Sequence, residues 1–241
     1  YDLQSVKRYG LNMVRLHQKV NPERWYYYAD HLGIIVWQDA VQKYGGATTD
    51  TIPYFIGDLQ AMVLKKINHP SIVQWETFNE NDCWQVFPNV SYIVSMVESW
   101  DQSRPVDADS GGLANNFGFG NVNDIHTYPD PQDNQPSATQ YSALGEYGGL
   151  GYFVSNKEWV ENGCYAYERV ASAQAFADRY IQMSQAITQF HKDGLAAVVY
   201  TQITDIEEEC DGYLNYDRTD KWNSSQQSAI YLTNQNMVAL N

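Results

Sequence analysis

Basic residues are scarce in this chain. Lys and Arg number 15 against 29 Asp and Glu, a formal net charge of −14. Nucleic acid and anionic membrane surfaces both reward clustered Lys and Arg, so neither is expected as a partner. No apolar run reaches the ~18 residues that a membrane span needs. Only three cysteines occur, Cys83, Cys164 and Cys210. They cannot build a disulfide framework, their spacing fits no zinc motif, and at most one pair can bridge. A Gly-rich phosphate turn after the first strand is missing, which argues against a dinucleotide-binding sheet. No initiator Met or signal peptide opens the chain. It begins at Tyr1 inside a predicted helix and reads as an excised or processed piece.

What is present is aromatic: 19 Tyr and 7 Trp. Most are expected in the core, and a few at a mouth as platforms for sugar rings. Two N-x-Ser sequons, Asn89-Val90-Ser91 and Asn223-Ser224-Ser225, suit a secreted or extracytoplasmic protein, although short sequons also arise by chance. At 241 residues the chain is near the ~250 of a barrel of eight strands and eight helices.

Periodicity and turn residues divide the chain into alternating strands and helices. Residues 1–9 read as a helix tail closed by Gly10, and 11–17 as a strand. Asn21 and Pro22 open a helix that Gly33 ends. A buried strand over 34–39 leads through a polar loop, 41–51, to a helix over 52–67, stopped by Asn68-His69-Pro70. Further strands are predicted at 71–80, 105–109, 124–128, 144–148 and 196–202. Helices are predicted near 91–102, 168–193 and 224–240. This alternation argues a parallel sheet wrapped by helices. Polar residues end nearly every strand: His17, Asp39, Glu80, Asp109, Tyr128, Glu146 and Gln202. Collecting chemistry at C-terminal strand ends is how a barrel builds its site.

The richest stretch is Ser71-Ile72-Val73-Gln74-Trp75-Glu76-Thr77-Phe78-Asn79-Glu80, an apolar strand running into Asn79 and Glu80. Leu144-Gly145-Glu146-Tyr147-Gly148 later delivers a second carboxylate into a Gly-flanked turn. Two carboxylates at the ends of two parallel strands suit glycoside hydrolysis: one protonates the leaving oxygen, the other attacks the anomeric carbon. Strand alternation places Glu76 on the side of Glu80, as a buried structural group rather than a catalyst. Admitting both Asn79 and Glu80 to one site then requires a bulge or twist at the strand end. Glu207-Glu208-Glu209 has no His beside it and reads as a solvated loop.

These residues, with Gly10-Leu11-Asn12-Met13-Val14-Arg15, Tyr28-Ala29-Asp30-His31-Leu32-Gly33-Ile34-Ile35-Val36-Trp37 and His69-Pro70-Ser71-Ile72-Val73-Gln74-Trp75, resemble the catalytic barrel of glycoside hydrolase family 2 in order along nearly the whole chain. The resemblance implies an α/β fold, a (β/α)8 TIM barrel over residues 1–241. Its first strand is expected upstream, leaving seven strands here and a barrel truncated at the N-terminus. It implies a retaining exo-β-glycosidase with Glu80 as acid/base and Glu146 as nucleophile, the two carboxyl groups ~5–5.5 Å apart. Asn79 would hydrogen-bond the sugar 2-hydroxyl. Arg15 and Tyr128 would keep Glu146 ionised and oriented, since a nearby guanidinium lowers a carboxylate pKa. His17, Asp39, Trp84 and His126 are further substrate-binding candidates. Carbohydrate is the implied partner, upstream β-sandwich domains are expected, and neither a metal nor an organic cofactor is called for. No Asn-x-Lys-Gly stretch occurs, which disfavours glucuronides. Galactoside and mannoside specificities stay open, as do an endo-β-glycanase of a related barrel family and an inactive fragment.

Overall fold

Glycine and proline punctuation sets the element boundaries. Gly33 takes the left-handed conformation that closes a helix (φ 63°, ψ 47°), as its position suggests. Gly10 also has positive φ, and a Cβ there would run into the Tyr231 carbonyl, so only glycine fits this junction. A computed structural model describes residues 1–42, 48–83 and 85–240 of the chain. The middle of the polar loop (43–47) and Trp84 lie outside the described residues.

The elements are α1 (Asp2–Arg8), β1 (Met13–Leu16), α2 (Glu23–Leu32), β2 (Ile35–Asp39), α3 (Ile52–Lys66), β3 (Ile72–Glu76), α4 (Val90–Trp100), β4 (Val106–Asp107), α5 (Leu113–Asn116), β5 (Val122–Thr127), β6 (Tyr141–Gly148), β7 (Leu150–Gly151), β8 (Glu168–Arg169), α6 (Ala173–Lys192), β9 (Leu195–Thr201) and α7 (Ser224–Val238). A parallel sheet runs β1-β2-β3-β4, a second sheet has the order β5-β6-β9, and β7 pairs with β8. The seven strands of the two larger sheets correspond to the seven expected, and the fold is a partial TIM barrel. Several boundaries differ, three of them for a local reason. Pro22 is the N-cap of α2 rather than its first residue. The fourth strand shrinks to Val106–Asp107 because the chain turns at Asp109, where the Gly112 amide bonds the Asp109 carbonyl. Helix α6 starts at Ala173, since Ser172 caps it and Glu168–Arg169 is used as strand.

The chain forms two compact units. The first comprises Asn12–Ile125 and Asn134–Gly145. Strand β3 is buried on both faces: Gln74 and Glu76 on one, Trp75 on the other. Trp75 Nε1 donates to Asp101 Oδ2 at 2.9 Å, and Arg104 Nη1 reaches the same oxygen at 2.6 Å. Burial alone would raise the Asp101 carboxyl; hydrogen bonds from Ser103, Arg104 and Trp75 outweigh it and bring the value down to about 2. A folded-state value below the unfolded ~3.9 stabilises the fold above pH ~4, and this contribution is lost as the pH falls toward 2. Asp101→Asn is therefore expected to melt earlier than wild type near neutral pH, with the gap closing on acidification. Thermal melts across that pH range check it.

The second unit comprises Tyr1–Leu11, His126–Asp133 and Glu146–Asn241. Its core is aromatic. Tyr9, Tyr213, Trp222, Phe176, Tyr180, Tyr200 and Tyr147 are joined by edge or tilted contacts with centroids 4.9 to 5.5 Å apart. Such pairs contribute roughly 0.5–1.5 kcal/mol each beyond their buried area. Buried Asn234 ties the ends of the chain together: Nδ2 donates to the Tyr9 carbonyl at 2.7 Å and Oδ1 accepts from Tyr180 at 2.5 Å. Cys164 and Cys210 form a disulfide with a sequence separation of 46. Closing a loop of that length removes unfolded-state entropy worth about 4 kcal/mol. Replacing both cysteines by serine is expected to lower the urea midpoint by the equivalent of up to ~4 kcal/mol. Cys83 is free and buried, with its thiol on Asp109 Oδ2 at 3.2 Å. No helix among the described residues is long and apolar enough to cross a membrane.

Candidate active site

In the first unit, β1, β2 and β3 place Arg15, Asp39 and Glu76 side by side. Asp39 and Glu76 are register partners, and Arg15 is paired with Trp37 two residues before Asp39. The Arg15 side chain is buried. Its Nε lies 2.6 Å from Glu76 Oε2 and 3.1 Å from Asp39 Oδ1; its Nη2 lies 2.8 Å from Asp39 Oδ2 and 2.7 Å from Asn79 Oδ1. One guanidinium thus gathers two carboxyl groups and an amide. Burial drives the Glu76 carboxyl well above its ordinary range; Arg15 opposes this and Asp39 reinforces it. Gln74 Nε2 donates to Glu76 Oε1 at 3.1 Å, and Tyr141 donates to Gln74 Oε1.

The end of β3 holds the twist that the Asn79-Glu80 pair requires. Asn79 bridges to Ser110, and then Glu80 (φ 48°) and Asn81 (φ 71°) are both left-handed. Two such residues in succession cost roughly 1–2 kcal/mol each, a cost that persists where the surroundings enforce the turn. Here the Asn81 amide donates to Asp109 Oδ1 at 3.1 Å and the Leu113 amide donates to Asn81 Oδ1 at 2.8 Å. The turn leaves Asn79 buried and Glu80 exposed. His17 is exposed, one residue beyond β1. Asp39, read from the sequence as a sugar contact, is buried in the Arg15 pair and also accepts from the Gln18 amide at 3.0 Å.

The sequence reading passed over the buried acids Asp124 and Asp107. Asp124 accepts from Ser110 Oγ and from the Gly145 amide, both at 2.5 Å, and so anchors β6 just before Glu146. A Cβ on Gly145 would collide with that carboxylate, which explains the glycine. Asp107 accepts from the Asp109 amide at 3.0 Å, and burial followed by the Asp124 charge pushes its carboxyl well up. The available signal was strand alternation: polar residues at inward positions of short strands.

In the second unit, Tyr128 donates to Glu146 Oε2 at 2.6 Å, and His126 Nδ1 lies 3.6 Å from the same oxygen. Burial, then the Glu146 charge, pushes the Tyr128 phenol far up. Tyr128 therefore keeps its proton and remains a donor, and the Thr201 hydroxyl, 2.7 Å away, must donate to it. Tyr167 stacks on the Tyr128 ring with centroids 3.7 Å apart and planes 6° apart. A Cβ on Gly149 would strike Tyr167, so this stack depends on glycine there. Tyr128 and Glu146 thus meet as the sequence suggested. Arg15, in the first unit, has Asp39, Glu76 and Asn79 among its partners. Glu207, Glu208 and Glu209 are exposed, and Glu209 accepts from Gln202 at 2.7 Å. Asp205 pairs with buried Lys221 at 2.7 Å. Asp211 is pushed up to about 7 by burial, against the Gln202 hydrogen bond.

Parallel strands alternating with helices, with acidic, amide and phenol groups at their ends, define a TIM-barrel catalytic fold. Residues 1–140 match the family model for glycosyl hydrolases family 2, TIM barrel domain, and the chain belongs to that family. Among curated proteins it is 29% identical over 119 residues to a β-galactosidase of Leuconostoc mesenteroides and 30% identical over 119 residues to one of Oenococcus oeni. Each match takes in 46% of this chain and 11% of the relative, so the chain spans a small part of those proteins. Among solved structures it is similar to a GH2 β-galacturonidase from Eisenbergiella tayi (TM-score 0.67, 17% identity, 98% of this chain and 46% of that one). It is also similar to a β-D-glucuronidase of Dictyoglomus thermophilum (TM-score 0.66, 12% identity, 100% of this chain and 46% of that one). At these identities the structural likeness speaks for the fold.

Proposed function

We propose that this chain is the catalytic barrel of a retaining exo-β-glycosidase, with Glu146 as nucleophile and Glu80 as acid/base. Family membership supports the reaction class. The observation that carries the assignment is the short Tyr128 to Glu146 hydrogen bond, from a phenol that burial and the Glu146 charge push well up. A donor of this kind favours the ionised carboxylate, the form that attacks an anomeric carbon. Glu80 follows an amide held by Arg15 and is presented on a strained, exposed turn. It would protonate the departing oxygen and then remove a proton from the incoming water, so the covalent glycosyl-enzyme forms and hydrolyses with overall retention. Carboxyl groups carry both steps, and the mechanism requires neither a metal nor an organic cofactor.

A β-galactoside is the first substrate to try, since the curated relatives above are β-galactosidases. The same proposal includes a secreted or extracytoplasmic setting, supported by the Cys164–Cys210 disulfide, and further domains in the whole protein, supported by the relatives' greater length. The experiment is trapping. The chain is incubated with dinitrophenyl 2-deoxy-2-fluoro-β-galactoside and its manno counterpart, then mapped by mass spectrometry. A glycosyl adduct on Glu146 is expected. Hydrolysis of an aryl β-glycoside with inverted product, or an adduct on another carboxylate, would sink the assignment.

A further inference from the structure

The Arg15 cluster leaves one atom unaccounted for. Asn79 is 1% exposed, its Oδ1 accepts from Arg15 Nη2 at 2.7 Å, and its Nδ2 has no hydrogen-bond partner among the described residues. An unpaired buried amide donor is costly, so it persists where a ligand satisfies it or function requires it. Which end of the amide faces inward is settled by chemistry. A guanidinium offers donors alone, so the oxygen must face Arg15 and the NH2 must face away. The direction of Asn79 therefore depends on where Arg15 is held.

Among the partners of Arg15 are two carboxyl groups on neighbouring strands. Asp39 takes it in a fork, Nε to Oδ1 at 3.1 Å and Nη2 to Oδ2 at 2.8 Å. Glu76 takes Nε at 2.6 Å, from a side chain that is fully buried. Gln74 in turn fixes the other oxygen of Glu76 at 3.1 Å. Glu76 is thus the inner stop of the guanidinium, with a supporting hydrogen bond of its own. A rotation of the fork away from Glu76 would carry Nη2 off Asn79.

We propose that Glu76 is a positioning residue: through Arg15 it locks the Asn79 amide so that Nδ2 points at a hydroxyl oxygen of the bound sugar. This rests on the glycosidase reading for its ligand, and on the geometry of Arg15, Asp39, Glu76 and Asn79 for its mechanism. The ligand chemistry is a sugar ring carrying a hydroxyl next to the anomeric carbon, because Asn79 directly precedes the residue that protonates the leaving oxygen. An amide donor aimed there strengthens its hydrogen bond as charge develops on the ring at the transition state.

Two measurements on the whole chain test it. The first does not depend on turnover. In nitrogen-15 NMR spectra the Asn79 side-chain amide is identified by its disappearance in Asn79→Asp. Its cross-peak is expected to move and broaden in Glu76→Gln and in Arg15→Lys, which keeps the charge but loses the fork. If Glu76→Gln does not fold, Glu76→Asp, which retracts the carboxylate by one methylene, is read instead. An unchanged Asn79 cross-peak in a folded Glu76 variant overturns the proposal. The second is kinetic. With para-nitrophenyl β-galactoside, Glu76→Gln is expected to lower kcat by roughly 10- to 100-fold with KM little changed, and the loss to shrink several-fold on the 2-deoxy substrate. Glu76→Gln combined with Asn79→Ala is expected to be no worse than Asn79→Ala alone. Equal losses on both substrates, or additive losses in the double variant, overturn it. A wild-type chain that hydrolyses no aryl glycoside removes the glycosidase reading, and the NMR result still decides whether Glu76 positions Asn79.

Discussion

Replacing Glu146 by Gln is expected to lower the hydrolysis of an aryl β-glycoside by on the order of 10⁴-fold or more, with little change in thermal stability. The physical reason is the loss of the attacking lone pair: the amide has nearly the same shape and still accepts from Tyr128, but it is a poor nucleophile. A loss of 10⁴ corresponds to roughly 5.5 kcal/mol of transition-state stabilisation. The Glu146 side chain is 15% exposed and has Tyr128 and His126 among its partners, so thermal melts of the variant accompany the assay. A second variant sharpens the result. Glu146→Gly opens space beside the anomeric carbon, and added azide is expected to restore turnover of a dinitrophenyl glycoside and to yield the glycosyl azide of inverted configuration. A Glu146→Gln enzyme as fast as wild type would remove the nucleophile assignment.

The second large effect depends on the leaving group. Glu80→Ala is expected to slow glycosides with poor leaving groups by roughly 10²- to 10⁴-fold, the usual size of a general-acid contribution. Dinitrophenolate leaves without a proton, so formation of the glycosyl-enzyme from a dinitrophenyl glycoside should fall far less. Its hydrolysis should then become the slow step, because the base is missing too, and a burst of dinitrophenol should appear. The pH dependence of kcat/KM should lose its basic limb, since that limb reports the group that must be protonated. Equal losses on poor and activated leaving groups would rule out the acid role. The turn bearing Glu80 adds a structural expectation: with Glu80 and Asn81 both at positive φ, relief of local strain partly offsets any destabilisation in Glu80→Gly.

Much of this fold was legible because its signals are local. The periods of α3 and α4, the cap at Gly33, and the apolar runs of β2, β3 and β9 each depend on a few neighbouring residues. Alternation along β3 also predicted that Glu76 would be buried, and its side chain is fully buried. Where boundaries moved, a local competitor won. Ser172 capped α6 later than the apolar pattern suggested, and the turn at Asp109 shortened β4.

The sequence by itself determined that strands and helices alternate, that polar groups end the strands, and that Asn79-Glu80 and Glu146 are the residues to examine. These properties follow from the periods of 2 and 3.6 residues and from motifs contiguous in the chain. Tertiary structure alone decided which groups meet. It put Arg15 between Asp39 and Glu76, and Tyr128 on Glu146. It paired Cys164 with Cys210 rather than with Cys83. It buried Asp107 and Asp124, which look in the sequence like any other carboxylates. The reason is physical: the partner of a charge is set by the lateral register of strands far apart in sequence. In a parallel sheet that register is fixed by the packing of the crossover helices, and no local pattern carries it.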